Sequence, residues 1–167
     1  MFEIGDYVVK STDGVCRVDD ILHPDLDIAN PDKLYYLLSP LDNSRAKLYV
    51  PTDKADVQGV RAVMKEEKAW EVINKIPQIK GHWIEDSRER EAEYKKIIRS
   101  YDSEALIGMI KDLYIKKLER LNAGKKNTSM EERFLNNAEN LLCSELSFVI
   151  GKDKKEMAAI IKDSIEV

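Results

Sequence analysis

Two hydrophobic periodicities divide the chain near residue 63. Before it, apolar residues come in short alternating runs rich in β-branched and aromatic side chains, the pattern of half-buried strands. Tyr7-Val8-Val9 is the first run and Val15 to Ile21 the return strand, with turns at Gly5-Asp6 and Asp13-Gly14. Leu34-Tyr35-Tyr36-Leu37-Leu38 and Ala46-Lys47-Leu48-Tyr49-Val50 follow, joined by a turn over Ser39 to Ser44. Pro51 closes the second of these, because proline cannot donate to a ladder. His23 to Asp32, with two prolines and several Asp and Asn, reads as a longer loop, and Val57 to Val63 as a last strand bent at Gly59. Near-neighbour strands this short predict a small SH3-like or Tudor-like β-barrel.

After residue 63 the period becomes helical. Ala69, Val72, Ile73 and Ile76 form one stripe, which Pro77 ends, and Trp70 beside it is expected in the core. Asp86-Ser87 caps a charged helix through Arg99, and Asp102 caps the next. There Leu106, Ile110, Leu113, Tyr114, Leu118 and Leu121 recur at helical spacing up to Gly124. Ser129-Met-Glu-Glu132 reads as a capping box. It opens a long helix with Leu135, Ala138, Leu142, Leu146 and Val149 inward, ended by Gly151. Asp153-x-x-Glu156 starts a final helix with Met157, Ile160 and Ile161. None of these helices can bury its stripe alone, so they are predicted to pack as one bundle. The expected fold class is α+β: a barrel over residues 1–63, then an all-α bundle over residues 64–167.

Composition narrows the function. The chain of 167 residues is 43% hydrophobic and 35% charged, with formal net charge −4. That charge argues against a histone-like electrostatic nucleic-acid binder. Its distribution is uneven. Residues 1–79 hold 10 basic against 14 acidic side chains, whereas residues 80–167 hold 17 of each. Weak DNA binding by the second part is compatible with that balance if its bases share a face. No apolar run approaches a membrane span, and no leader pattern opens the chain, so a cytoplasmic location is expected. Cys16 and Cys143 lie far apart, neither in a C-x-x-C, and are expected to be reduced and packed as small hydrophobes. With only His23 and His82 beside them, zinc-ligand spacing is missing.

Catalytic signatures are also missing. There is no phosphate-binding G-x-x-x-x-G-K-[ST], no G-x-G-x-x-G, no H-E-x-x-H and no G-x-S-x-G. The carboxylates sit on amphipathic outer faces, and neither histidine neighbours a nucleophile pattern. No catalytic residue, metal, cofactor or small-molecule substrate is expected.

Phe2-x-x-Gly5-Asp6-x-Val8-Val9, then Gly14-Val15-x-x-Val18, resembles the opening of the CarD family of bacterial transcription regulators. The same module occurs in transcription-repair coupling factors. Further along, Trp83-Ile84-Glu85-Asp86 before Arg88, Arg90 and Tyr94-Lys95, then Lys111-Asp112-Leu113, then Ala138 through Glu145-Leu146, are similar to that family's helical segments. Two departures stand out: Tyr49 where many members carry arginine, and Lys10-Ser11-Thr12 in place of a Tyr-Pro pair. The resemblance implies an N-terminal domain bound to the RNA polymerase β subunit and a helical domain at the upstream edge of the melted promoter. It also implies that the open complex is thereby stabilised.

Candidate residues follow. The polymerase-facing surface would be a strand edge carrying Arg45, Lys47 and Tyr49, with Tyr35 on the neighbouring strand. Trp83 stands in a polar loop where no apolar stripe requires it. It reads either as a packing residue between barrel and bundle or, as the resemblance implies, as an apolar wedge against an opened base step in the minor groove. Arg88, Arg90, Lys95, Lys116, Lys117 and Arg120 are candidate phosphate contacts, with Lys96, Lys111, Lys125 and Lys126 beside them. For Arg88 and Arg90, interleaved with Glu89, Glu91 and Glu93, a solvated ion-paired face is the competing reading. Promoter DNA contact is expected to be weak and largely sequence-independent. A protein-interaction module that binds polymerase or another partner without touching DNA is the alternative. A cleft enzyme is a more distant one.

Overall fold

The computed structural model describes residues 1–25, 30 and 32–165. Residues 26–29 and 31, within the expected loop His23–Asp32, lie outside that description, as do 166 and 167. The chain divides into two compact units, Met1–Val63 and Met64–Val167.

The first unit is a curled, half-barrel sheet of five antiparallel strands: β1 (Tyr7–Lys10), β2 (Gly14–Leu22), β3 (Tyr35–Pro40), β4 (Leu48–Pro51) and β5 (Val60–Ala62). Their spatial order is β4-β3-β2-β1-β5. The β1–β2 turn spans Ser11–Asp13, with Thr12 in the left-handed region at φ 74°, and Gly14 opens the return strand at φ 84°. The turn is thus one residue longer than the expected Asp13-Gly14 hairpin. A register shift between Val18 and Asp20 bends β2 where it pairs with β3. One face of the sheet is dry: Val8, Cys16, Val18, Tyr36, Leu38, Val50, Ala55 and Val60 are buried, and Phe2, Ile21 and Leu48 pack on them. Tyr36 closes this core. Its ring meets Phe2 edge-on at 5.7 Å, and its hydroxyl accepts the Phe2 N–H at 3.0 Å.

The second unit is all helical: α1 (Glu66–Lys75), α2 (Ser87–Ser100), α3 (Ser103–Asn122), α4 (Ser129–Ile150) and α5 (Lys154–Ile165). The Asp86 carboxylate accepts the N–H groups of Arg88 and Glu89, and that of Asp102 accepts the Ala105 N–H. At the start of α4 the cap is Thr128, one residue earlier than the expected box, and its hydroxyl accepts the Glu131 N–H. The bundle core is built from Leu106, Ile110 and Leu113 of α3, from Leu135, Ala138, Leu142 and Leu146 of α4, and from Met157 and Ile161 of α5. Tyr101 ends α2 in the left-handed conformation at φ 50°. Its cost, about 1 kcal/mol for a residue with a Cβ, is opposed by burial and by a 2.5 Å hydrogen bond from its hydroxyl to the Leu141 carbonyl.

Three expectations about the core change. Trp70 is 37% exposed, not buried. It is rotated about 100° from its neighbour Ala69, so it flanks the Ala69–Val72–Ile73–Ile76 stripe and does not lie in it. Leu118 and Leu121 are also exposed. The inward face of α3 runs Leu106, Ile110, Leu113 and then Lys117 and Arg120, and the two leucines lie off that line. Both cysteines are free and buried, and burial pushes their thiols up, to about 12 for Cys16 and about 11 for Cys143.

Candidate functional site

The helical unit gathers Trp83 and four of the expected basic residues into one cluster built from α2, α3 and α4. Trp83 is half-buried in the loop before α2. The Arg90 guanidinium carbon stands 4.2 Å from the centre of its ring, and the Lys116 ammonium 4.9 Å from it. Both lie within the range in which a cation is attracted to the electron-rich face of an indole.

Arg90 is not at the surface. It is 6% exposed, on the buried side of α2 with Tyr94 and Ile98. One terminal nitrogen donates to the Ile84 and Glu85 carbonyls at 2.7 and 3.2 Å, and the other to Glu131 Oε1 at 2.8 Å. Neither a phosphate contact nor a solvated ion-paired face describes a group committed in this way. The spacing Arg90–Tyr94–Ile98 already places it on the inward face of α2.

Glu131 is the hub. It is 1% exposed and receives both Arg90 and Arg120. In a capping box this glutamate would return to the backbone N–H of the cap residue. Here it turns inward to the two arginines. Its position one turn ahead of Leu135, Ala138 and Leu142 puts it on the apolar stripe of α4. That spacing is the signal by which sequence alone could have found it.

Around the hub the ion pairs continue. Arg120 donates to the Asn127 side-chain oxygen at 2.8 Å, and the Asn127 amide donates to Glu132 at 2.7 Å. Lys117 pairs with Glu132 at 3.0 Å. Asn127 and Lys117 hold the Glu132 carboxyl below its usual range. Lys116 keeps a looser 3.6 Å contact with Glu119. The expected residues Arg88 and Lys95 belong to the exposed surface of α2, where Lys95 pairs with Glu91 at 3.4 Å.

A cleft of about 390 Å³ lies beside the Trp83 loop, between α2 and α3. Its lining includes Lys80, Gly81, His82, Tyr94, Met109 and Asp112. Burial raises the Asp112 carboxyl above its usual value and pushes the Tyr94 phenol up to about 12. Among the described residues, no group of three or more His, Cys, Asp or Glu side chains could hold a metal ion. No described helix is long and apolar enough to cross a membrane.

In the first unit the expected residues fall on and around β4, which among the described residues pairs with β3 alone and so stands at one edge of the sheet. Tyr49 is 39% exposed and lies opposite Leu37, while Tyr35 lies opposite Pro51. Alternation turns all four to the outer face, since Tyr36, Leu38 and Val50 fill the core. Arg45 is exposed in the turn before β4. Lys47 reaches Asp19 at 3.2 Å, and Arg17 reaches the same carboxylate at 2.8 Å. The Ser39 hydroxyl also donates to Asp19, and that bond, with the two cations, holds the acid down at about 2.

No curated protein gives a significant match to the chain. Family comparison matches residues 2–64 to the CarD-like/TRCF RID domain, a Tudor-like fold, and residues 72–162 to the CarD C-terminal domain. The two matches fall in order on the sheet and the bundle just described, and the second spans more than half of the sequence: the chain belongs to the CarD family.

Proposed function

We propose that this protein docks on the RNA polymerase β subunit through its sheet unit and stabilises the promoter open complex through its helical unit, at the upstream edge of the bubble. The domains of the CarD family are those of RNA-polymerase-interacting transcription factors. The free edge of β4, with Tyr35 and Tyr49 on the outer face and Arg45 and Lys47 beside it, offers main chain for strand addition and side chains for specificity.

The single observation that supports the DNA contact is Trp83, half-buried beneath Arg90 and Lys116. An indole already held in one orientation loses little further freedom when it presses against an unstacked base step. Arg90 then acts by positioning the indole. Lys116, Lys117, Arg120, Arg88 and Lys95 supply positive potential toward phosphates. Tethering to polymerase raises the local concentration of this weak surface, so modest basic charge is enough. Contacts made only with opened DNA shift the closed–open equilibrium by their difference in affinity between the two states. Promoter preference then follows from how readily the upstream DNA opens, not from base reading. The activity is non-enzymatic, and a cytoplasmic setting follows from the partner.

Trp83→Ala is expected to shorten the open-complex lifetime while leaving polymerase binding intact; an unchanged lifetime rules the wedge out. Substitution at Lys47 and Tyr49 is expected to abolish β-subunit capture by the full chain.

A second reading, binding of polymerase without DNA, draws support from Lys95, Lys117 and Arg120, each paired with a carboxylate, and from the net charge of −4. A gel shift on a forked promoter separates the two: a salt-dependent complex belongs to the first reading, and no complex at any salt to the second.

A further inference from the structure

We infer that Asp112 is a positioning residue for Trp83: with Gly108 and Lys111 it fastens the loop Ile79–Trp83 lengthwise along α3 and so sets where the indole meets Lys116. The functional consequence rests on the proposed DNA contact of Trp83, whereas the geometry does not.

Gly108, Asp112 and Lys116 are spaced four apart and lie on one flank of α3. Each meets the loop at a successive point. At Gly108 the loop backbone comes so close that an added Cβ would stand 3.4 Å from both the Gly81 Cα and the Lys80 carbonyl oxygen. Lys111 donates to the Ile79 carbonyl at 2.6 Å. Asp112 accepts the backbone N–H of His82, and its carboxylate fills the space where a Cβ on Gly81 would lie. Gly81 is therefore required for room, not for an unusual backbone conformation. Lys116 then stands over Trp83.

The loop has no regular secondary structure of its own, so these contacts to α3 stand in for a ladder. Arg90, itself held by Glu131 of α4, meets the same indole from α2.

The test uses the full chain with Trp70→Phe, which leaves Trp83 as the sole tryptophan. Asp112→Ala is expected to raise acrylamide quenching of Trp83 about twofold as the freed loop admits solvent. Asp112→Asn, which keeps an acceptor for the His82 N–H, is expected to restore the original value. Gly81→Ala drives the carboxylate out from the loop side and is expected to raise quenching as Asp112→Ala does. In open-complex assays Asp112→Ala is expected to shorten the lifetime about three- to tenfold through lost pre-organisation.

Unchanged quenching in both Asp112→Ala and Gly81→Ala, with helical circular dichroism retained, overturns the inference. So does a lifetime shortened by Trp83→Ala but not by Asp112→Ala. If quenching rises while neither Trp83→Ala nor Asp112→Ala alters the lifetime, the positioning stands and the DNA contact of Trp83 falls.

Discussion

Glu131 and Asp19 each draw two cations to one carboxylate, yet they sit in opposite surroundings. Glu131 holds Arg90 and Arg120 at 1% side-chain exposure in the bundle, whereas Asp19 holds Arg17 and Lys47 at 15%, on the side of the sheet that faces solvent. At Glu131 water cannot replace a lost partner, so each group must keep its mate and the geometry is fixed. At Asp19 water can substitute, and the cluster arranges surface charge without holding the fold. What differs is solvent access, not the chemistry of the groups. It makes the first site a scaffold for an indole and the second a tunable patch beside the proposed docking edge.

Glu131→Ala is the largest test of that difference. It leaves Arg90 buried without its anion, and a loss of about 3–5 kcal/mol is expected in chemical denaturation. Replacing the two almost fully buried members, with Arg90→Met and Glu131→Leu, is expected to cost far less, because apolar replacements of a buried pair approach neutrality and Arg120, 20% exposed, keeps Asn127 and water. That double variant keeps the fold and releases Trp83. A destabilised double variant would mean that the pair contributes net stability, not orientation.

Leu106→Ala comes next, at about 2–5 kcal/mol for a buried leucine emptied to a cavity. It is expected to leave the spectroscopic signature of Trp83 unchanged once the protein is folded, since Leu106 belongs to the bundle core whereas the loop is fastened at Gly108, Lys111 and Asp112.

Asp19→Asn is expected to cost less than about 1 kcal/mol at neutral pH. The sign with pH is definite. A carboxyl held at about 2, against the ordinary 3.8, stabilises the folded state above pH 3.8 and loses that contribution as the pH falls toward 2. The stability gap between Asp19→Asn and the parent is therefore expected to close across that window. A gap that stays constant would show that ionisation of Asp19 is not what stabilises the sheet.

The smallest effect belongs to Lys95→Ala, expected within about 0.5 kcal/mol, because its pair with Glu91 is an exposed i,i+4 contact.

The strand pattern was legible where one face is buried and the other wet. Tyr36, Leu38 and Val50 alternate inward as their spacing requires. Helix starts at Asp86 and Asp102 were legible because a short acidic side chain there satisfies free N–H groups. Reading failed where a charged residue occupies an inward position. Arg90 and Glu131 sit on the buried faces of their helices, at 7% and 1% side-chain exposure, but an ordinary reading of charge sends them outward. Leu118 and Leu121 read as core, but the inward line of α3 continues through Lys117 and Arg120, which are only partly buried, and leaves the two leucines exposed. Trp83 stood out as a tryptophan without a stripe, but of its two cations only Arg90 is near in sequence, in the helix that follows, whereas Lys116 comes from α3.

Periodicity and capping, which act within a few residues, were enough to set the α+β order, the change of character near residue 63 and, to within a residue or two, the ends of the first four helices. Which charges meet, and which are denied water, depended on three helices converging on one carboxylate. That convergence is a property of packing between distant segments, where the cost of leaving a buried ion unpaired outweighs any local preference.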